Sequence, residues 1–128
     1  MGALLPLLLS LVGCAPGEAA DSADPCGRTP ALDYDNFGQA ALSKHCVGCH
    51  SSYLPEAARF QAPLGVDFDT YQGVLDWAER IHVRTVSEED MPPGGGLEGE
   101  ELLLFDEWIT CGVYADLEAL AAQSGEGE

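Results

Sequence analysis

The sequence predicts an all-α fold with long loops. Three stretches, 34–46, 70–86 and 100–111, carry apolar or small residues at the three- and four-residue spacing of an amphipathic helix. No stretch alternates apolar and polar residues as clearly as a β-strand would, and the segments between the helical stretches are rich in proline and glycine. The 128 residues fit a single domain.

The first helix is predicted over 34–46, which reads YDNFGQAALSKHC, and either Asp33 or Asp35 can cap its start. Its apolar stripe consists of Tyr34, Phe37, Gly38, Ala41, Leu42 and Cys46. Because a glycine inside a helix costs about 1 kcal/mol relative to alanine, Gly38 is expected to mark the close approach of another backbone.

The two later helices are predicted from the same periodicity. The stripe over 70–86, capped by Thr70, consists of Tyr71, Val74, Leu75, Ala78, Ile81 and His82. The inward residues over 100–111 are Leu102, Phe105, Trp108 and Ile109. Gly112 is placed to end this helix, and residues 115–123 are compatible with a further short one.

The N-terminal residues are typical of an exported protein. An apolar run over 4–12 is too short to span a membrane and suits a signal peptide. The run ends in LVGC, which resembles the lipobox of bacterial lipoproteins. That resemblance implies a lipid on Cys14 and an anchor on the periplasmic side of a bacterial membrane. The predicted organisation is a signal peptide at 1–13, a lipidated cysteine and flexible tether at 14–33, a folded domain at 34–122 and a disordered tail at 123–128.

The chain is strongly acidic, with a formal net charge of −17 from 22 acidic and five basic residues. This argues against nucleic-acid binding, which needs Lys and Arg to neutralise phosphates. It also argues against docking on anionic lipid through a basic patch. Protein partners with basic docking faces fit the charge better. The alternative is that the acidity serves solubility alone.

Cys46, Cys49 and His50 form a C-x-x-C-H motif. On one helical turn, positions i, i+3 and i+4 share a face, so both thiols and the imidazole can meet one ligand. A zinc site, a redox dithiol and a covalently attached haem all use related spacings.

The rest of the chain favours haem among these three. Zinc would need a fourth ligand from His45, His82, Cys111 or Cys26, and structural zinc sites usually show a second paired cluster, which is missing here. A thioredoxin-like dithiol lies in a strand–helix context, whereas this motif follows a helix. In a haem site, Cys46 and Cys49 would form the two thioethers and His50 would be the proximal iron ligand.

With these residues the chain resembles the small class I cytochromes c over about 34–112. That family carries a glycine eight residues, and a large apolar residue four residues, before the first haem cysteine, and Gly38 and Leu42 match. The resemblance implies that the last helix crosses the first at this glycine, with Phe105 and Trp108 as the crossing aromatics. The implied fold has about three main helices packed around one covalent haem c.

The resemblance also implies a sixth iron ligand, a methionine on a proline-rich loop before the last helix. Met91 matches, in a string MPPGGGL that resembles a segment of many bacterial c-type haem domains. Met1 is lost with the signal peptide, so Met91 is the sole available thioether; its alternative role is a core methionine. His82 is the rival sixth ligand, or a core histidine.

The family further implies a proline carbonyl that accepts a hydrogen bond from the proximal histidine, and Pro63 is the candidate. The arginines that could pair with haem propionates, or form solvated ion pairs instead, are Arg59, Arg80 and Arg84. Cys26 and Cys111 flank the helices that cross in the family, and an exported protein can form a disulfide. We predict that they are bridged, which would stabilise the fold by about 4 kcal/mol.

The implied function is one-electron transfer without substrate turnover of its own, because His/Met ligation fills both axial positions of the iron. We expect a monomer that meets redox partner proteins. One alternative is a haem-bearing subunit of a larger redox complex. Another is a haem sensor or peroxidase-like protein with a displaceable sixth ligand.

Overall fold

The computed structural model describes residues 24–125, and this part of the chain is helical without any strand. The α-helices are α1 (Gln39–His45), α2 (Tyr71–His82), α3 (Gly99–Glu107) and α4 (Tyr114–Gly125). Wider π-helical turns extend them at Tyr34–Gly38, Val83–Ser87 and Trp108–Val113, and a short 3-10 turn lies at Glu56–Ala58. The predicted all-α class is therefore confirmed. None of the helices in this part is long and apolar enough to cross a membrane.

The first helical segment begins where the sequence indicates. Asp33 accepts a hydrogen bond from the backbone N–H of Asn36 at 2.7 Å, and the Asn36 side chain accepts one from the backbone of Asp33 at 2.9 Å. This reciprocal capping box satisfies two donors that the helix would otherwise leave free. Of the two candidate caps, Asp33 is the one used.

The first and last helical segments meet at Gly38. A Cβ added there would overlap three atoms of the Trp108 ring, and Trp108 and Phe105 are both fully buried. The close approach expected at Gly38 is thus made by an indole ring, rather than by backbone. The ring of Phe37 meets Trp108 edge-on at a centroid distance of 6.0 Å, so the crossing is packed with aromatic side chains.

Gly112 does not end the last helix, and that prediction is wrong. Helical backbone continues from α3 through Trp108–Val113 into α4, and Gly112 is not among the residues with positive φ. A Cβ at Gly112 would lie 2.9 Å from the carbonyl oxygen of Leu32. A glycine is therefore needed at position 112 because the backbone at Leu32 crosses the helix there, too close for a side chain. The helix runs to Gly125, beyond the predicted domain end at residue 122.

The buried core lies between α1, α2 and the last helix. Thr70 caps α2 by accepting a hydrogen bond from the backbone of Gly73 at 3.2 Å, as predicted. The core residues are Ala41, Leu42, Phe68, Val74, Ala78, Ile81, Leu97, Phe105, Trp108, Ile109 and Val113. Most of them belong to the stripes that the periodicity indicated, because one face of each helix must be removed from water.

The segment before the first helix is tied to the last helix in two ways. Cys26 and Cys111 form a disulfide, with Cα atoms 5.4 Å apart. Nearby, Arg28 forms an ion pair with Glu107, with Nε 2.6 Å from Oε1. Residues 24–33, the last part of the predicted tether, therefore lie against the folded body, as the predicted bridge from Cys26 requires. The signal peptide and Cys14 lie outside the described residues.

Candidate functional site

A cavity of about 920 Å³ opens beside the C-x-x-C-H motif. Cys46, Cys49, His50 and Met91 all line it, although Met91 is 41 positions beyond His50 in the chain. The loop over 60–66 forms another wall, together with side chains from α2 and the turn that follows it. The structure thus brings all four expected haem-binding residues to one site.

The motif occupies a single helical turn directly after α1. The backbone N–H of His50 donates to the carbonyl of Cys46 at 2.9 Å, and that of Cys49 donates to the same carbonyl at 3.1 Å. This turn places positions i, i+3 and i+4 on one face. Both cysteines are free thiols and half-buried, and both line the cavity.

The environment of Cys46 does not suit a redox dithiol. Burial, and secondarily the neighbouring Cys49, raises the pKa of the Cys46 thiol to about 12. Reactive dithiols instead have a lowered pKa, because the thiolate is the nucleophile. A zinc site finds no support either. Within residues 24–125, no group of three or more His, Cys, Asp or Glu side chains is placed to hold a metal ion.

The His50 ring is fixed by two contacts. Its Nδ1 lies 2.9 Å from the carbonyl oxygen of Val66, and the ring stacks on Phe68 at a centroid distance of 4.7 Å. A carbonyl can only accept a hydrogen bond, so Nδ1 must carry the proton and Nε2 holds the free lone pair. That tautomer is the one in which Nε2 can bind a metal.

The prediction that Pro63 accepts this hydrogen bond is wrong. The chain turns after Pro63, with the backbone N–H of Val66 donating to the Pro63 carbonyl at 3.3 Å. The turn brings the carbonyl of Val66 to the imidazole, while the Pro63 carbonyl accepts from Arg59 Nη2 at 2.8 Å. A backbone carbonyl does accept a hydrogen bond from His50, but it belongs to Val66, three positions beyond Pro63.

Met91 is held on the end of the α2 segment by its backbone. The N–H groups of Met91 and Asp90 both donate to the carbonyl of Arg84, at 3.1 Å and 3.0 Å. The loop then closes as Gly96 donates to the Pro92 carbonyl at 3.0 Å. A Cβ at Gly96 would lie 2.9 Å from the carbonyl oxygen of Glu89, so a glycine is needed there. This anchoring places Met91 at the cavity.

His82, the rival ligand, does not reach the cavity. Its Nε2 lies 2.7 Å from Asp106 Oδ1, and its ring meets Tyr114 edge-on at 5.7 Å. The histidine therefore joins α2 to the last helix, and its apolar-stripe position reflects packing.

The three candidate arginines have different surroundings. Arg59 is 1 % exposed and bonds to loop carbonyls, so it is not available to an anionic ligand. Arg84 lines the cavity but pairs with Asp90, with Nη2 2.7 Å from Oδ2. Arg80 lines the cavity and forms no ion pair within residues 24–125. Arg80 is thus the most available cation at the site.

Sequence reasoning missed the roles of Val66 and Phe68, which orient His50. A backbone carbonyl carries no side-chain signal, and Phe68 fell in a segment predicted as loop. No protein-family model matches the chain, and no curated protein or solved structure does either. What the cavity binds must therefore be inferred from its own residues.

Proposed function

We propose that this protein is a monohaem c-type cytochrome that carries single electrons outside the cytoplasm. The observation that carries the proposal is the convergence of Cys46, Cys49, His50 and Met91 on one cavity. The proposal includes a class I cytochrome c-like fold, in which the helices pack around the haem.

The residues present fit haem c. The cavity volume lies near the upper end of the range of about 300–1,000 Å³ that is usual for small-molecule and cofactor sites. Its surface is mainly apolar, with Phe68 and Ile81 among the lining side chains, as a porphyrin face requires. Two free thiols at the haem-attachment spacing lie beside a histidine whose ring tautomer leaves Nε2 ready to bind iron.

Each residue would have a distinct task. When bound, the haem would supply an iron that alternates between two oxidation states. Cys46 and Cys49 would hold the cofactor covalently, and His50 and Met91 would be the protein ligands of the iron. The apolar walls exclude water. Arg80, which is free of ion pairs among the described residues, is available to the haem carboxylates.

Covalent attachment is tested by replacing both motif cysteines. The protein is produced with its own N-terminus in a bacterium that matures c-type cytochromes, and haem is stained after a denaturing gel. The wild type should retain haem, and Cys46→Ala with Cys49→Ala should lose it. The matched control, Cys26→Ala with Cys111→Ala, also removes two cysteines, and neither of them lines the cavity. It should retain its haem per molecule, although loss of the bridge lowers the yield of folded protein. If the Cys46→Ala, Cys49→Ala variant retained haem on the denaturing gel, covalent attachment through these two cysteines would be excluded.

Met91→Ala tests the sixth ligand and the alternative of an open iron site. A bond between ferric iron and a thioether gives a weak far-red absorption band, and we expect Met91→Ala to abolish it and to lower the reduction potential. Optical redox titration measures both quantities. His82→Ala is the control and should keep the band, because His82 bonds to Asp106 instead. A wild type that lacks the band would favour the sensor or peroxidase-like function.

The proposed location and partners follow from the sequence. A lipid on Cys14 would hold the protein on the periplasmic side of a bacterial membrane, so Cys14→Ala should release it from the membrane fraction. The net charge of −17 would attract basic faces of redox partner proteins.

Electrostatic attraction of partners is tested with small redox complexes of opposite charge. Electron exchange with a cationic complex should slow several-fold between about 10 mM and about 0.5 M salt. Exchange with an anionic complex, the control, should accelerate over the same range. Two salt-independent rates, measured by stopped flow, would contradict the attraction.

A further inference from the structure

Arg59 is the one charged side chain in residues 24–125 that is buried, with 1 % of its surface exposed. Arginine is almost never fully buried unless its charge and donors are satisfied. Here four of the five N–H donors are used on backbone carbonyls of its own loop. Nε donates to Ala62 at 3.2 Å, Nη1 to Ser51, and Nη2 to Pro63 at 2.8 Å and to Val66 at 3.0 Å.

The charge of Arg59 is compensated within the same loop. Asp67 Oδ1 lies 2.7 Å from Arg59 Nη2. Both protons of Nη2 are already donated to Pro63 and Val66, so this contact is an ion pair without a hydrogen bond, and Asp67 Oδ1 has no hydrogen-bond partner. A buried guanidinium is stable only with such a counter-charge.

The carbonyl of Val66 is shared between Arg59 and His50. It accepts from Arg59 Nη2 at 3.0 Å and from His50 Nδ1 at 2.9 Å, which its two lone pairs allow. Two other bonds join the flanks of this loop: the Phe68 N–H donates to the His50 carbonyl at 2.9 Å, and the Ser52 N–H donates to Asp69 Oδ2 at 2.6 Å. Neither of them reaches the Val66 carbonyl. Arg59 is the side chain that bonds both to Ser51 at the start of the loop and to the carbonyl that orients the imidazole.

The loop also contains backbone that needs support. Phe60 and Gln61 follow Arg59 with φ of 50° and 72°, a left-handed conformation that is unfavourable for residues other than glycine. Such conformations persist where the surroundings over-determine them. The bonds from Arg59 to Ala62 and Pro63 lie directly after this pair, so the arginine holds the strained turn closed.

We infer that Arg59 is a positioning residue that clamps the loop 51–67, so that the Val66 carbonyl fixes the His50 ring for iron binding. The consequence for iron rests on the proposed haem function. The hydrogen bond itself does not, because it is present among protein atoms alone. A carbonyl partner of this kind fixes the ring orientation and raises the basicity of the ligating nitrogen.

The test measures how fast the His50 Nδ1 proton exchanges with water, by NMR of the reduced haem-loaded protein. Arg59→Lys keeps the charge but loses the planar fork of donors that reaches four carbonyls. We expect the His50 Nδ1 proton to exchange about tenfold faster or more in Arg59→Lys, because losing a hydrogen bond that involves a charged group has an effect of this size. Ile109→Val is the control: it weakens the core without touching the cavity, and exchange should stay at the wild-type rate.

If the Nδ1 proton exchanges in Arg59→Lys at the wild-type rate, the clamp is overturned. It is also overturned if Ile109→Val accelerates the exchange equally, because the effect would then reflect general stability. If Arg59→Lys does not fold, Asp67→Asn replaces it. That change leaves the guanidinium without its counter-charge and should accelerate exchange in the same direction, so an unchanged rate there would also overturn the clamp.

Haem-free protein separates this inference from the proposed function. There, wild-type His50 should favour the tautomer with the proton on Nδ1, and Arg59→Lys should lose that preference, as read from ring ¹⁵N shifts. A chain that never binds haem but shows this difference would refute the cytochrome proposal and retain the clamp. Equal tautomer populations in the two proteins would refute the clamp alone.

Discussion

Two glycines in helical segments are required by packing. At Gly38 the partner is the fully buried ring of Trp108, and at Gly112 it is the carbonyl of Leu32. Helix propensity alone would favour alanine at both positions by up to about 1 kcal/mol. The absence of a Cβ therefore matters more at these residues than the conformational freedom of glycine does.

Gly38→Ala should destabilise the protein by about 1–3 kcal/mol, as overpacking of a well-packed core does. A Cβ at this position overlaps the indole ring, and a buried ring has no free space to move into. The free energy of unfolding in denaturant measures the change.

Gly48→Ala is the matched control, because a Cβ there meets no atom within 4 Å. We expect it to change the free energy of unfolding by less than about 0.5 kcal/mol. Equal effects of the two substitutions would show that Gly38 does not mark a tight crossing.

At the scale of elements, the end of α1 is joined to the start of α3 by charge. Glu101 Oε1 lies 2.7 Å from His45 Nε2 and 2.9 Å from Lys44 Nζ. Hydrogen bonds from His45, and then from Lys44, lower the pKa of Glu101 below its ordinary value of 4.5. The contact lies near the surface, so its contribution to stability is modest.

Glu101→Gln should weaken the acid dependence of stability. Because the pKa of Glu101 is lower in the folded state, its carboxylate stabilises the fold above pH 4.5, and this contribution is lost as the pH falls further. We therefore expect Glu101→Gln to be less stable than the wild type near about pH 7 and to approach it near about pH 3. Urea unfolding at both pH values measures the difference.

Glu118→Gln is the control for this experiment. Glu118 is exposed on α4, and its carboxylate makes no hydrogen bond or ion pair with the residues that the structure describes. Its substitution should leave the pH dependence as in the wild type. If the free energy of unfolding of Glu101→Gln changed with pH in parallel with that of the wild type, the α1–α3 contact would not contribute to the acid dependence of stability.

At the scale of the whole molecule, the disulfide closes most of the described chain into one loop. Cys26 and Cys111 are 85 residues apart and join the segment before the first helix to the last helical segment. The folded part is small, so its core leaves a limited margin of stability. A covalent closure of this length supplements the core by restricting the unfolded chain.

Replacing both cysteines, as Cys26→Ser with Cys111→Ser, should lower the free energy of unfolding by about 4 kcal/mol in the chain-entropy model. Denaturant unfolding with and without a reducing agent measures the loss. The agent should destabilise the wild type and leave the double variant unchanged. The prediction would be contradicted if the unfolding midpoint of the wild type stayed constant although thiol labelling showed that the bridge was reduced.

Most of the helices could be predicted because their signals are local. The stripe of α2 and the caps at Asp33 and Thr70 depend on residues within a few positions of one another. The helix end at Gly112 could not be predicted, because the same glycine is explained either by a C-cap or by a crossing chain. That choice depends on Leu32, about 80 positions away.

The sequence by itself determined the helical class, the candidate cofactor residues and the pair of cysteines outside the motif, since periodicity and motif spacing are properties of short segments. The tertiary structure alone decided that Val66 rather than Pro63 accepts from His50, that His82 pairs with Asp106, and that Arg59 holds a loop. These outcomes depend on which carbonyl or carboxylate reaches a given side chain. Long-range packing controls that distance, and a backbone acceptor looks the same at every position of the sequence.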